Sequence, residues 1–498
     1  MENLNQLLAI RRQKLQKLKE LGINPYPNRS KRTHKIKELW ENKDKFVKSE
    51  QRIVVTGRLT GMRRQGKVGF GNISDESGRI QIFVRQDNVG ENNYEVFKLL
   101  DLGDFVQVEG NCFITKMGEY SVRAKEVTIL GKSLRPLPTV KEKEVDGKKQ
   151  RFDEFSDIEL RYRKRYLDLL LNPESKDNFI IRAKIIKEIR NFLNSRDFIE
   201  VETPILQPLY GGAHARPFIT HHNTLDIDLY LRIALELYHK RLIVGGFERV
   251  YEIGKNFRNE GMSRTHNPEF SMVELYQAYA DYNDMMDITE DMILHIAKEV
   301  FDSEKINFHG TEILLKKPWR RASMLDLVKK ETGFDASDFD FEKIKAFCDK
   351  HKIEISPAAG PGKLIEEIFG KFVEPKLIQP TFVIDFPKEV SPLAKEKPGN
   401  TKLTERFELF INVGEYANAF TELNDPLDQR ERLEAQMKLR ELGDMEANVV
   451  DEDFLEALEY GMPPTGGLGI GVDRLVMLFT GNTSIKEVIF FPQMKPEV

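Results

Sequence analysis

The feature that most constrains the fold is a pair of alternating runs around a short polar loop. The runs are Glu248-Arg-Val-Tyr-Glu-Ile-Gly-Lys-Asn-Phe-Arg-Asn-Glu260 and Pro268-Glu-Phe-Ser-Met-Val-Glu-Leu-Tyr276. The loop from Gly261 to Asn267 lies between them. Strands this close in sequence pair as a hairpin, so the sheet that holds them is antiparallel. Side chains alternate faces along a strand. That period groups Arg258 with Glu260, and Phe270 with Met272, Glu274 and Tyr276. Carboxylates, an arginine and aromatics on one face make a poor core, because buried charge needs partners. The face is either solvated or the floor of a polar site.

A second alternating segment runs from Phe407 to Asn424. Asn412 to Gly414 is a turn signal. After it, Asn418, Phe420 and Glu422 fall on one face. Glu408 and Glu415 lie on opposite sides of the turn and can converge. Converging carboxylates near a triphosphate are hard oxygen ligands suited to Mg²⁺, though ordinary strand charges alternate in the same way. A third segment, residues 466–478, is glycine-rich. Its glycines at 467, 469 and 471 do not follow the dinucleotide pattern, and no βαβ unit surrounds them. A glycine strand feeding a helix at Asp473 fits better. It brings backbones close together and places Arg474 to meet a phosphate or an adenine face.

Elsewhere strands and helices mix without βαβ regularity, which predicts an α+β fold. Leu4, Leu7, Leu8, Leu15, Leu18 and Leu21 recur at helical spacing, and Gly22 with Pro25 stops the helix. Residues 1–50 carry 13 Lys+Arg against 6 Asp+Glu. This basic helical extension is either a solvated helix or a phosphate-contacting one. Between 51 and 132 five β-rich runs, 53–59, 68–74, 79–85, 105–114 and 120–130, predict a small barrel of the oligonucleotide-binding or SH3-like kind. Residues 133–150, with Pro136, Pro138 and a charged tract, read as a linker. In 151–498, Ser156-Asp-Ile-Glu159 has the capping-box pattern and opens a helix to about Leu171. Pro173 starts another helix, and a strand containing Phe198, Val201 and Ile205 follows. Residues 284–372 read as a mainly helical insertion. No run of about 18 apolar residues predicts a membrane span. The first 20 residues form a charged helix rather than a signal peptide. Cys112 and Cys348 are too few for a disulfide framework or a cysteine zinc site, and a reducing cytoplasm is the expected location.

Taken together, these segments resemble class II aminoacyl-tRNA synthetases, and specifically the bacterial-type lysyl-tRNA synthetase family, almost end to end. Residues 179–206, with Pro204, look like motif 1. Phe257-Arg-Asn-Glu260 through Phe270 looks like motif 2, and Gly469-Ile-Gly-Val-Asp-Arg474 like motif 3. Gly211-Gly-Ala-His-Ala-Arg-Pro217 and Arg232-Ile-Ala-Leu-Glu236 resemble lysine-family signatures. The chain departs from the usual family pattern at His214, Leu235 and Asn412-Val-Gly414.

The resemblance implies a class II catalytic domain on an antiparallel sheet, an N-terminal five-stranded OB-fold barrel that binds the anticodon, and a homodimer. It implies ATP, L-lysine and tRNA(Lys) as partners, Mg²⁺ as cofactor, and no DNA. Arg258 and Arg474 are implied as the catalytic cations. Arg258, Glu260, His266, Asn267, Phe270, Glu408, Glu415 and Arg474 are implied for ATP, with Glu408 and Glu415 on the metal. Gly212, Glu236, Arg258, Glu274, Tyr276, Asn418, Phe420 and Glu422 are implied for lysine. Arg63, Phe70 and Gln81 match anticodon contacts; a plain barrel-core role is the alternative for Phe70. Aspartyl and asparaginyl enzymes share the architecture, but an aspartate side chain needs a cation in its pocket. The acidic residues here suit a substrate with two ammonium groups.

Overall fold

Alternating burial along five strands closes a barrel in the first of the two units, Met1–Ser156 and Asp157–Val498, into which the chain divides. The computed structural model describes residues 2–138, 141–145, 148–152, 155–355, 359–444 and 446–497. The barrel strands are β1 (Arg52–Gln65), β2 (Val68–Asp75), β3 (Gly78–Arg85), β4 (Phe105–Ile114) and β5 (Tyr120–Gly131). They close in the order β1-β2-β3-β5-β4, with β3 and β5 parallel. That parallel pair marks the oligonucleotide-binding barrel and excludes the SH3-like alternative. Inward residues such as Ile53, Val55, Ile82, Val84, Val106, Val108, Val122 and Ile129 form its core.

The helix Glu2–Glu20 uses less of its leucine stripe than its spacing predicts. Leu18 is buried, but Leu4, Leu7 and Leu21 are exposed. Two of its cations are committed within this unit. Arg11 donates to the carbonyls of Leu102, Ser133 and Arg135 at 2.9–3.0 Å. Lys14 pairs with Asp101 at 2.6 Å. The predicted linker also differs: Lys141–Val145 and Lys148–Phe152 pair as an antiparallel hairpin. A charged tract can still satisfy its backbone groups by pairing.

The second unit is built on an eight-stranded sheet. In spatial order its strands are Arg320–Ser323, Thr381–Ile384, Arg406–Ile411, Gly414–Thr421, Thr465–Gly471, Glu269–Ala278, Arg249–Phe257 and Ile199–Glu200. The six central strands are antiparallel and only the two edge pairs are parallel. Odd-numbered Val273, Leu275, Ala417 and Ala419, with Leu468 and Ile470, face a core. Apolar faces of the helices Pro173–Asn194, Tyr282–Phe301 and Val472–Thr480 complete it. This fixes the function of the opposite face: residues one position along each strand point away from the core.

Local differences from the sequence expectation have physical causes. Asp157, not Ser156, caps the first helix, accepting from Leu160 N at 2.7 Å. That helix breaks at Lys164 and resumes as Arg165–Leu171. The strand expected across Phe198 to Ile205 is regular only at Ile199–Glu200; after Val201 N donates to Tyr251 O, Thr203 N donates to the Glu252 side chain at 3.0 Å instead of continuing the ladder. Residues 284–372 are not simply a helical insertion. They include a hairpin, Lys305–Phe308 with Thr311–Leu314, and the sheet's edge strand Arg320–Ser323. The helices Met324–Thr332, Phe341–Lys350 and Pro361–Phe372 share a small core with Val383 and Phe410 of the sheet. No helix among the described residues is long and apolar enough to cross a membrane.

Candidate active site

The face turned away from the core is the floor of a pocket of about 600 Å³. Phe270, Met272, Glu274 and Tyr276 all line it, as do Asn418, Phe420 and Glu422. Both alternations therefore act as the sequence predicts. Three glycines at 467, 469 and 471 line the pocket from the strand between them. At Gly467 an added Cβ would lie 2.6 Å from Tyr276 Cε1 and 2.9 Å from Glu422 Cδ. Glycine is what leaves room for those side chains.

One end of the pocket is cationic. Arg258 and Glu260 follow the strand that ends at Phe257, so strand alternation does not govern them. Arg258 is held by its backbone N–H, which donates to Pro268 O at 2.9 Å. Its guanidinium lies 5.1 Å from the Phe270 ring centroid, and its Nε is out of solvent without a partner. Burial lowers the Arg258 pKa, against the pull of Glu260 and Glu415. Arg474, two residues into its helix, donates to Glu415 O at 2.6 Å and lies 3.1 Å from Glu415 Oε2. It also reaches His266 Nε2 at 3.2 Å. Burial and Arg474 push the His266 pKa down. A neutral ring accepts from Arg474 at Nε2 and donates from Nδ1 to Ser263 Oγ at 2.8 Å. Asn267 donates to Glu269 O at 2.6 Å, and its buried Oδ1 is left without a donor.

Glu415 reaches the pocket through a register change that alternation does not predict. Leu409 pairs with Ala417 but Phe410 pairs with Glu415, so Tyr416 is an extra residue. Such a bulge re-aims the side chains beside it. Glu415 faces the pocket, and Tyr416 packs into the core. The turn itself is tight, with φ of 48° at Asn412 and 70° at Val413. These are the positive angles of a two-residue hairpin turn. Glu408, on the partner strand, accepts from Arg406 at 2.6 Å. Burial raises its pKa to about 8, opposed by Arg406 and reinforced by Glu415. Among the described residues no cluster of three or more His, Cys, Asp or Glu is arranged to hold a metal. Two oxygen-donor carboxylates that repel each other still suit Mg²⁺, which takes one or two carboxylates and completes its shell with phosphates and water.

The other end is acidic. Glu236 opens the helix Glu236–Val244, and Glu274 and Glu422 lie on neighbouring parts of the sheet side. All three are buried. Glu274 accepts from Leu235 N at 3.2 Å, Asn256 at 3.5 Å and Tyr276 at 3.3 Å. Burial raises the pKa of Glu236 and Glu274, and that of Glu422 to about 8. At Gly212, with φ +85°, an added Cβ would lie 3.2 Å from Glu236 Cβ, so the loop has little room for a side chain there. His214 of the same loop is 3.0 Å from Asp444. Asn418 accepts from Arg406 Nε at 3.2 Å, and the Arg406 guanidinium lies 5.7 Å from the Phe420 ring centroid.

Two residues are absent from the sequence expectation. Lys240, fully buried, places Nζ 2.6 Å from Glu236 and 2.5 Å from Glu422. With Glu422 it forms an ion pair in which both side chains are out of solvent. Arg406 links Asn418, Glu408 and the carbonyl of Val390. The signals were present: Lys240 is four residues beyond Glu236, a helical pair, and Arg406 is two before Glu408 on one strand face.

On the barrel, Arg63, Phe70 and Gln81 line one groove of about 470 Å³, together with Asn72, Met117 and Glu119. Arg63 pairs with Phe70, and Asn72 with Gln81, across neighbouring strands. Phe70 is half-buried and outside the barrel core, its ring 5.1 Å from that of Phe83. Gln81 Oε1 accepts from Ser121 at 2.9 Å, which leaves its amide N–H groups for other partners.

An antiparallel sheet carrying a pocket with a cationic end and an acidic end, preceded by an oligonucleotide-binding barrel, is the architecture of a class II synthetase. The family described as tRNA synthetases class II (D, K and N) matches residues 157–495, and the OB-fold nucleic acid binding domain matches 53–130. The lysine–tRNA ligase of Pelotomaculum thermopropionicum is 52% identical over 99% of this chain and 96% of its own. Those of Lactococcus lactis and Staphylococcus epidermidis are each 52% identical, over 99% of both chains. The chain belongs to the lysine–tRNA ligase family of class II synthetases.

Proposed function

We propose that this protein activates L-lysine with ATP to lysyl-adenylate and transfers the lysyl group to the 3′ end of tRNA(Lys). The observation that carries the choice of amino acid is the charge of the acidic end. Glu236, Glu274 and Glu422 are three buried carboxylates, and one internal ammonium, Lys240, is shared by Glu236 and Glu422. Buried carboxylates without partners are costly. Lysine supplies two ammonium groups, which offset the excess. Glu236 and Gly212 take the α-ammonium, and Glu422 and Tyr276 the ε-ammonium, with Glu274 beside them. Arg258 and Asn418 take the carboxylate, and Phe420 lines the same end.

ATP lies at the cationic end. Phe270 stacks on adenine, and Glu260, His266 and Asn267 contact the nucleotide. Arg474 covers the other face of adenine or the γ-phosphate. Glu408 and Glu415 would hold Mg²⁺, which polarises phosphate oxygens and offsets their charge. The lysine carboxylate attacks the α-phosphorus in line, and pyrophosphate leaves. Arg258 stabilises charge on the transferring phosphoryl group, as a fixed donor aimed at developing charge does. No protein nucleophile is needed. The tRNA 3′-terminal hydroxyl then attacks the adenylate carbonyl and releases AMP.

The barrel groove reads the U-rich lysine anticodon: Phe70 stacks on a base, Gln81 bonds an edge, and Arg63 lies beside them. The exposed apolar residues Ile199, Ile205, Leu206, Ile219 and Ile227 support a homodimer through the motif 1 side. Leu206, Ile219 and Ile227 belong to one three-stranded sheet, and clustered exposed apolar residues mark association. The proposed domain limits are 1–50, 51–132, 133–150 and 151–498, and the proposed location is the cytoplasm.

Amino-acid-dependent ATP–pyrophosphate exchange tests the reading against all twenty amino acids. Lysine alone should respond; a response to aspartate instead would overturn the substrate. Glu422→Gln should weaken lysine use by about 3–5 kcal/mol, the cost of removing one partner of a buried charge pair.

A further inference from the structure

Lys240 is a fully buried cation beside the acidic end of the pocket that the proposed reaction does not use. It lies on the second turn of the helix Glu236–Val244. Its ammonium is 2.6 Å from Glu236 and 2.5 Å from Glu422. Those carboxylates come from different parts of the fold, one from the start of a helix and one from the end of a sheet strand. In the proposed function they also hold different ends of the substrate. A single ammonium therefore bridges the α-amino subsite and the side-chain subsite.

The neighbourhood makes that bridge consequential. Glu274 and Tyr276 face the same space from the strand Glu269–Ala278, His239 from the helix of Lys240 itself, and Arg406 from the strand Arg406–Ile411. The Phe454 ring lies 5.9 Å from Nζ. Three buried carboxylates at close range repel one another and take up protons. A carboxyl that has taken up a proton has lost its charge and attracts an ammonium only weakly. Lys240 opposes this at both subsites, because its charge lowers the proton affinity of Glu236 and of Glu422. Its position also sets their separation.

We propose that Lys240 is a positioning residue for lysine recognition, holding Glu236 and Glu422 at a fixed spacing and favouring their charged forms so that both ends of the substrate are read together. This inference rests on the proposed assignment of the two carboxylates. Lys240 need not touch the substrate, since it acts through the two glutamates. It sets the pH range over which lysine is recognised.

The test is the pH profile of kcat/KM for lysine in ATP–pyrophosphate exchange, for the full-length protein and for Lys240→Met, Lys240→Arg and Glu422→Gln. In Lys240→Met the acidic limb should move to higher pH by about one unit or more, a loss of about tenfold at neutral pH. The loss should lie in KM for lysine, with KM for ATP unchanged, and should diminish as the pH is raised. Lys240→Arg, which keeps the charge, should keep the wild-type limb. Melting curves identify folded variants, and Lys240→Gln carries the same test if Lys240→Met does not fold. A uniform loss of kcat with the limb unmoved would assign Lys240 a purely structural role and overturn the proposal. If Glu422→Gln leaves KM for lysine unchanged, the assignment of the pocket fails. If Glu422→Gln raises that KM while the limb of Lys240→Met stays in place, only the role of Lys240 fails.

Discussion

Adding one methyl group at Gly467 should separate lysine recognition from ATP binding. The strand Thr465–Gly471 pairs Gly467 with Tyr276 on one side and Phe420 on the other. A Cβ there would lie 2.6 Å from Tyr276 Cε1 and 2.9 Å from Glu422 Cδ, where ordinary contact begins near 3.4 Å. Neither neighbour is free to yield. Tyr276 is 3% exposed and Glu422 1%. The tyrosine bonds Glu274, and Lys240 pairs with the glutamate. Overpacking of this kind costs about 1–3 kcal/mol of stability. A displacement on the order of 1 Å at a substrate-positioning group costs about 100-fold in use of that substrate. Gly467→Ala should therefore raise KM for lysine or lower kcat/KM for lysine by about two orders of magnitude, with KM for ATP nearly unchanged. Gly469→Ala is the comparison. Its methyl would first meet Met272 Cε, the flexible end of a side chain, at 3.1 Å, so lysine use should change only a few-fold. Lysine-dependent ATP–pyrophosphate exchange with both substrates titrated makes the measurement. A folded Gly467→Ala protein with wild-type KM and kcat for lysine would refute the crowding argument and the placement of Glu422 beside the substrate.

Phe70→Ala should slow tRNA charging and spare ATP–pyrophosphate exchange; equal losses in the two assays would argue against a base-stacking role. KM for lysine should fall as pH rises from about 6 to 8, because Glu422, raised to about 8 by burial, must lose its proton to pair with an ammonium. A carboxyl raised on folding is more protonated folded than unfolded between its usual value of 4.5 and about 8, so its contribution to stability declines as pH rises through that window. The thermal shift produced by lysine should grow across the same range, and a flat response in melting curves would contradict it. Glu408→Gln should raise the Mg²⁺ concentration needed for half-maximal exchange by about tenfold or more; an unchanged requirement would remove Glu408 from the proposed metal site. Ile219→Asp should shift the protein toward monomer in light scattering if the exposed apolar face is the dimer contact.

Local periodicity decided much of this protein. The antiparallel hairpin, the shared face of Phe270, Met272, Glu274 and Tyr276, and the grouping of Asn418, Phe420 and Glu422 all follow from alternation, which is a property of the chain itself. The five barrel strands were legible as β-rich runs set off by turn residues. Tertiary structure decided what period alone cannot carry. A bulge at Tyr416 turned Glu415 into the pocket against its parity. Pairing of the tract between 141 and 152 made a hairpin where composition suggested a linker. The edge strand Arg320–Ser323 became a strand by pairing with Thr381–Ile384, a partner distant in sequence. The acidic pocket is the clearest case. Glu274 and Glu422 could be read from strand alternation and Glu236 from the family resemblance, but Lys240 joins Glu236 to Glu422 only when a helix meets the end of a central strand. The electrostatics of a buried charge depend on distances between elements, and those distances exist only in the folded chain.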